Sequence, residues 1–300
     1  MDLKLSEAEK IFIQHGVESN FRNDGRNNED YRPILIETDV VQNANGSARV
    51  LLGQTDILVG VKAEIDVPEA ARPKTGRIKF FVDCSANASP EFEGRGGESF
   101  ANEISEALYS AYNNKYTEEA ILKKLLLLEN QLCWLLYVDV VVLECQGGNA
   151  FDCASLAVKC ALYDLKIPKA TVSYNENGRA DVELTSKNDD YDDIWRLDVR
   201  SAPILLTSGK LGRATLLLDA TREEEACLKS TLILGVLGQE PKEAKITLMK
   251  QLSGGTLDPE SLTEMTERVL LIGCKLNDGL LEKLRIEELG EKPKIRGFLL

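Results

Sequence analysis

The sequence predicts an α+β protein built as two strand-plus-helix halves in one compact unit, and three observations predict it. Apolar residues alternate with period two between Pro33 and Cys84 and recur in short strand-like runs between Ile204 and Gln251. Each strand-rich stretch leads into a helix-period stretch, first through Ala154, Val158, Ala161, Leu162 and Leu165, then through Leu262, Met265, Val269, Ile272 and Leu276. No short-period repeat or low-complexity tract interrupts that order. With 300 residues and 43% apolar content, the chain can bury a substantial core.

Ser6-Glu7-Ala8-Glu9 has capping-box spacing, and Ala8, Ile11 and Phe12 then share a helical face until Gly16 ends the helix. Asn45-Gly46 is a tight-turn pair and Gly53-Gln54 forms a second turn. Ile57, Val59, Val61, Ala63 and Ile65 point one way, with Lys62 and Glu64 between them, so three or four antiparallel strands are expected up to Cys84. Helical spacing returns from Glu98 to Tyr112 through Ile104, Ala107, Leu108 and Ala111, and a second helix is expected from Glu118 to Leu128. The run from Cys133 to Leu143 is too apolar for a half-exposed strand and reads as a central strand covered on both faces. Gln146-Gly147-Gly148 makes the break before a core helix that Pro168 stops.

A hairpin follows, Thr171 to Tyr174 and Asp181 to Leu184, joined across Asn177-Gly178. The polar stretch from Lys187 to Asp193 then marks a boundary near Asn188 to Ile194, which divides the chain into halves 1–190 and 191–300. Strands are expected at Ile204 to Thr207, Thr215 to Leu218, Leu228 to Val236 and Ile246 to Gln251. A long helix starts at Asp258 with Pro259 in its first position, and the polar tail from Gly290 to Lys294 is expected to be loosely held.

Charge narrows the function classes. There are 36 basic and 49 acidic residues, a formal net charge of -13, so attraction to nucleic-acid phosphates must come from a local basic patch or from partner chains. The seven cysteines, Cys84, Cys133, Cys145, Cys153, Cys160, Cys227 and Cys274, are odd in number and contain no Cys-x-x-Cys pair. That argues against a zinc site or a disulfide framework and for a reducing compartment. No segment reaches the ~18 to 20 apolar residues of a membrane span, and the chain is expected to be soluble and not secreted. His15 is the sole histidine, with a helix-end or packing role, and Gly209-Lys210-Leu211-Gly212-Arg213 lacks phosphate-loop spacing and reads as a hairpin turn.

Two neighbouring stretches carry a family likeness: Arg22-Asn23-Asp24-Gly25-Arg26, and Asn45-Gly46-Ser47-Ala48-Arg49-Val50-Leu51-Leu52-Gly53-Gln54-Thr55-Asp56-Ile57-Leu58. Together with Phe80-Phe81-Val82-Asp83-Cys84, Phe92-Glu93-Gly94-Arg95-Gly96-Gly97, Val138-Asp139-Val140 and Asp258-Pro259-Glu260, they resemble the ribonuclease PH superfamily over nearly the whole chain. The resemblance implies a ribonuclease PH-like fold. Within the superfamily it points to the non-catalytic subunits of the eukaryotic exosome ring, which supports 3′-to-5′ RNA processing and degradation. Partners implied are other ribonuclease PH-like exosome subunits in a hexameric ring, RNA-binding cap subunits, RNA and an associated catalytic nuclease. The implied locations are nucleus, nucleolus and cytoplasm, with no membrane association, and no cofactor or metal is implied.

Phosphorolytic relatives use inorganic phosphate to attack the terminal phosphodiester of RNA, which releases a nucleoside diphosphate. Such chemistry needs arginines, backbone amides at a helix start and hydroxyls around the phosphate, plus carboxylates for a proton or a metal. Where active relatives carry Thr-Arg-Thr after the glycine pair, this chain has Asn149-Ala150-Phe151-Asp152. Asp152 either opposes phosphate by its charge or is an ordinary N-cap. The arginines of the preceding helix are absent from Glu103-Ile104-Ser105-Glu106-Ala107-Leu108-Tyr109-Ser110-Ala111-Tyr112-Asn113. Of the acidic pair, Glu223 matches the first position and Lys229 stands at the second. The resemblance therefore implies no catalytic residue here, and it places the loop of Arg72 and Lys74 at the central pore, with Arg72, Lys74 and Arg95 as RNA contacts. The competing reading is an active phosphate-dependent 3′-to-5′ exoribonuclease, which would need an arginine after Gly147-Gly148 and a carboxylate near Lys229.

Overall fold

Helix α1 (Glu7–Glu18) opens on the expected capping box: the Ser6 hydroxyl accepts from the Glu9 amide at 3.3 Å, and the Glu9 carboxylate accepts from the Ser6 amide at 2.7 Å. A computed structural model of the chain describes residues 5–174, 180–184, 194–212, 214–252 and 255–289. In it, α1 runs on through Gly16 and buries Ile13 and Val17, while Ile11 and Phe12 are exposed. What α1 packs against decides its buried face. It lies on Leu211, Leu217 and Ala220, and the Ile13/Val17 pair, one turn apart, is the stripe that points there.

The first sheet contains β1 (Ile34–Thr38), β2 (Gly46–Leu52), β3 (Thr55–Asp66), β4 (Arg77–Cys84), β5 (Leu126–Leu128) and β6 (Leu132–Cys145), in the order β1-β2-β3-β6-β4 with β5 also on β6. Gly53-Gln54 is the predicted two-residue turn, with Leu52 opposite Thr55 and Gly53 at φ +61°. Asn45-Gly46 instead opens β2. A Cβ on Gly46 would stand 2.6 Å from the Ala161 carbonyl oxygen and the Leu165 Cα, so glycine there serves close approach. The four strands up to Cys84 are not all antiparallel: β4 runs parallel to β6. A parallel neighbour needs a long crossover, and α2 (Glu98–Tyr112), with the predicted bounds, lies within it and packs on β4.

The predicted helix over 118–128 is replaced by α3 (Lys115–Ala120), a 3₁₀ turn (Leu122–Leu125) and β5. Strand β4 begins only opposite Leu135, which leaves Leu132 and Cys133 open for pairing, and Leu128 and Leu126 take that edge. Tertiary pairing thus overrides the helix propensity of a leucine run. Strand β6 is central, and one face is buried along Trp134, Leu136, Val138, Val140 and Val142; the other is covered at its start, where Cys133 and Leu135 are buried, and opens at Asp139, which is exposed.

Helix α4 (Ala150–Asp164) is buried from Ala150 to Leu162, and it ends before Pro168. That proline lies in β7 (Lys166–Pro168), which pairs with β10 (Ile194–Arg196); between them β8 (Ala170–Tyr174) and β9 (Ala180–Leu184) form the predicted hairpin. The Asn177-Gly178 turn, the boundary residues before Ile194 and the tail from Gly290 lie outside the described residues.

The second sheet, β12-β11-β13-β14, comprises β11 (Ile204–Leu211), β12 (Ala214–Leu218), β13 (Ser230–Leu237) and β14 (Lys245–Gln251), all antiparallel. The one-turn helix α5 (Arg222–Glu225) separates β12 from β13. The 30-residue α6 (Pro259–Glu288) is N-capped by Asp258, as expected, and packs on β11, β12 and β13. Helix α4 packs on β2 and β3 of the first sheet and beside β11 of the second, so one buried cluster extends from Ala48 to Leu284.

Candidate functional site

The glycine pair that ends β6 delivers the chain into α4 through two residues with positive φ, Gly148 at +77° and Asn149 at +56°. Asn149 is the N-cap of α4, but its side chain makes no capping hydrogen bond. Its backbone amide donates to Glu225 Oε1 at 2.7 Å, and its side-chain amide donates to Asp219 Oδ1 at 2.9 Å and Asp152 Oδ2 at 3.1 Å. The helix start, which favours negative charge, is therefore occupied by carboxylates of this same chain.

Asp219 sits at the centre. It accepts from Arg32 Nη2 at 2.6 Å, Arg32 Nε at 2.8 Å, the Arg32 amide at 2.8 Å and Arg26 Nη1 at 2.9 Å, and it is fully buried. Burial alone would push its carboxyl upward, but the Arg32 guanidinium outweighs that and holds it below its ordinary value. Glu225 and Asp152 go the other way. Burial raises both to about 7, against the lowering effect of the Asn149 amide on Glu225 and of Tyr31, Thr207 and Asn149 on Asp152. Burial, reinforced by the charge of Asp152, lifts the Tyr31 hydroxyl well above its usual range.

Asp152 is not the N-cap. It lies in the first turn of α4, where Oδ2 accepts from Tyr31 Oη at 2.6 Å and Oδ1 from the Thr207 amide at 2.7 Å. One turn on, Ser155 Oγ accepts from the Leu205 amide at 2.7 Å. Strand β12 reaches only as far along β11 as Ser208, so Asp152 and Ser155 satisfy amides that β12 leaves unpaired.

Residues 22–32 close the cluster from outside. Arg22 makes a fork to Glu224, Nε to Oε1 at 2.8 Å and Nη2 to Oε2 at 2.5 Å, and also donates to the Leu218 and Asp219 carbonyls at 3.0 and 2.8 Å. The first recognisable motif of the sequence is thus a strap from the first half onto the end of β12. Arg22, Arg26, Tyr31, Arg32, Asn149, Asp219 and Glu225 were not singled out as a site from sequence. The only local signal was three arginines within eleven positions of an otherwise acidic chain.

Glu223 and Lys229 are both exposed, and neither enters this cluster. Glu106 pairs with Lys250 of β14 at 3.2 Å, and Ser105 donates to the Phe80 carbonyl at 2.9 Å. Arg72 and Lys74 share the loop between β3 and β4. Arg72 donates to Asn113 at the end of α2, and Lys74 stands 3.5 Å from Glu129 with both side chains largely exposed. Arg95 lies on a separate loop ahead of α2 and pairs with Glu98 at 2.8 Å.

Residues 30–168 match domain 1 of the 3′ exoribonuclease family, and residues 201–268 match domain 2. The chain is 33% identical to the putative exosome complex exonuclease RRP42 of Dictyostelium discoideum, across 91% of this chain and 95% of that protein. It is 31% identical to the exosome complex component Rrp42 of Thermococcus gammatolerans, across 87% and 89%. Among solved structures, a chain of the Archaeoglobus fulgidus exosome with RNA bound to the active site is similar at a TM-score of 0.69 and 25% identity, covering 92% of this chain and 98% of that one. Rice Rrp46 shares the fold at a TM-score of 0.60 and 19% identity, over 88% and 100%.

Proposed function

This chain belongs to the 3′ exoribonuclease family, and from that premise we propose that it is a structural, RNA-contacting subunit of an exosome core ring that does not itself catalyse phosphorolysis. Its relatives carry the names of exosome components. The observation that carries the non-catalytic part is the carboxylate of Glu225 on the Asn149 amide, with Asp219 saturating Arg26 and Arg32. An incoming phosphate would meet three carboxyl groups, of Asp152, Asp219 and Glu225, where it needs donors. Among ring subunits, the sequence resemblance favours the one called exosome complex component seven. Its partners would be other ribonuclease PH-like subunits, RNA-binding caps, RNA and a separate nuclease, in nucleus, nucleolus and cytoplasm. Purified chain incubated with single-stranded RNA, phosphate and magnesium is expected to release no nucleoside diphosphate. Phosphate-dependent release would overturn the non-catalytic reading.

RNA contact is proposed for Arg72, Lys74 and Arg95. The Lys74 and Arg95 ion pairs are exposed and screened by solvent, so each yields readily to a phosphate. In the assembled ring, Arg72→Glu with Lys74→Glu is expected to weaken RNA binding. Neutral glutamines at both positions should lower the salt dependence by about one to two phosphate contacts. Unchanged affinity across a salt titration would remove this loop from the RNA path.

A further inference from the structure

Strand β4 turns Lys79, Phe81 and Asp83 to the open part of the second face of the first sheet, beside Tyr137 and Asp139 of β6. Phe81 is 53% exposed and stacks on Tyr137, with ring centroids 6.1 Å apart and planes inclined by 25°. The sheet provides Tyr137 with its own cation, since the Lys79 ammonium lies 5.5 Å from that ring. Phe81 has no such neighbour among the described residues. It is flanked instead by two exposed carboxylates, Asp139 directly opposite in register and Asp83 two positions along its own strand. Neither forms a hydrogen bond or an ion pair among the described residues, whereas nearby Lys62 is held by Glu64 at 2.9 Å.

An aromatic face with two carboxylates at its edge that form no hydrogen bond or ion pair among the described residues, all on rigid strands, is complementary to a planar cation, although Lys62 also feels the charge of Asp139. We infer that this face docks a neighbouring protein chain that lays an arginine side chain over Phe81, between Asp83 and Asp139. Arginine fits better than lysine, because its flat guanidinium stacks on a ring while its N–H groups reach carboxylates in the same plane. RNA fits poorly, since both charges repel phosphate and the nearby lysines are already engaged. The inference rests on the ring reading above and adds to it the face and the chemistry of one contact.

The test uses the ring reconstituted by co-expressing the full chain with its ribonuclease PH-like partners. With p-benzoylphenylalanine at position 81, irradiation is expected to join this chain to an arginine-containing segment of a neighbouring subunit. Asp83→Arg with Asp139→Arg should weaken assembly at least about tenfold and leave the isolated chain's unfolding midpoint in place. Reversing the cross-linked arginine to aspartate should restore assembly with that variant. The milder pair Asp83→Asn and Asp139→Asn guards against misfolding and should give a smaller loss of the same kind. Cross-links to RNA, or undiminished assembly of the charge-reversed chain, would overturn the inference while the ring reading stands. If the wild-type chain joins no ring, both fall.

Discussion

Arg22→Ala is expected to lose about 3–5 kcal/mol of folding stability, the largest effect of any single substitution considered for this chain. Arg22 is 1% exposed and Glu224 4%. Removing the guanidinium leaves a buried carboxylate with one remaining donor, the Thr221 amide at 2.8 Å. It also takes a donor from the Leu218 and Asp219 carbonyls, the second of which keeps Arg26 Nη2 at 3.3 Å. Arg22→Lys should recover little, because a point charge cannot span both carboxylate oxygens and two carbonyls at once. The double variant Arg22→Met with Glu224→Met should be markedly more stable than Arg22→Ala, since no charge is left stranded. Urea unfolding of the three variants measures this. A loss below about 1 kcal/mol for Arg22→Ala would show that water or a rearranged arginine takes over the site.

The second large effect is a pH dependence set by Lys159. This lysine is buried in the middle of α4, where Nζ donates to the Ala202 carbonyl at 2.5 Å and to Asn277 Oδ1 of α6 at 2.6 Å. No carboxylate is among those partners, and burial lowers the amine from 10.5 to about 7. Below about pH 7 the amine is protonated both folded and unfolded, so the cost of burying the charge is fully present. Between about 7 and 10.5 the folded chain binds fewer protons than the unfolded chain, and stability rises with pH. The contribution between pH 7 and 9 is about 2 kcal/mol, and the whole range is worth at most about 5 kcal/mol. Buried thiols work in the opposite direction at high pH: Cys145, pushed up to about 12 by burial, keeps its proton in the fold while an unfolded thiol loses it. Wild type must therefore be compared with Lys159→Met, in which the thiols are the same and the amine is gone. Relative to that variant, wild type should gain stability from pH 7 to 9. Parallel curves would mean that Lys159 stays charged in the fold.

Much of the local structure was determined by the sequence itself. Helix α2 has the predicted limits, because Ile104, Ala107, Leu108 and Ala111 set a helical period and all four are buried. The Gly53 turn and the Asp258-Pro259 helix start are likewise fixed by residues within a few positions of each other. The tertiary structure alone decided which face of α1 is buried, because that depends on Leu217 of a distant strand. It also turned Leu126–Leu128 into a strand, because β6 offered an open edge, and it made Asp152 a partner of the Thr207 amide rather than a cap. Above all it assembled the arginine–carboxylate cluster. Arg22 and Glu224 are 202 positions apart, and Arg32 and Asp219 are 187 apart. Periodicity and capping read interactions within about four residues, so pairs at that separation are settled only when both sheets close on α4 and bring the two ends of the chain together.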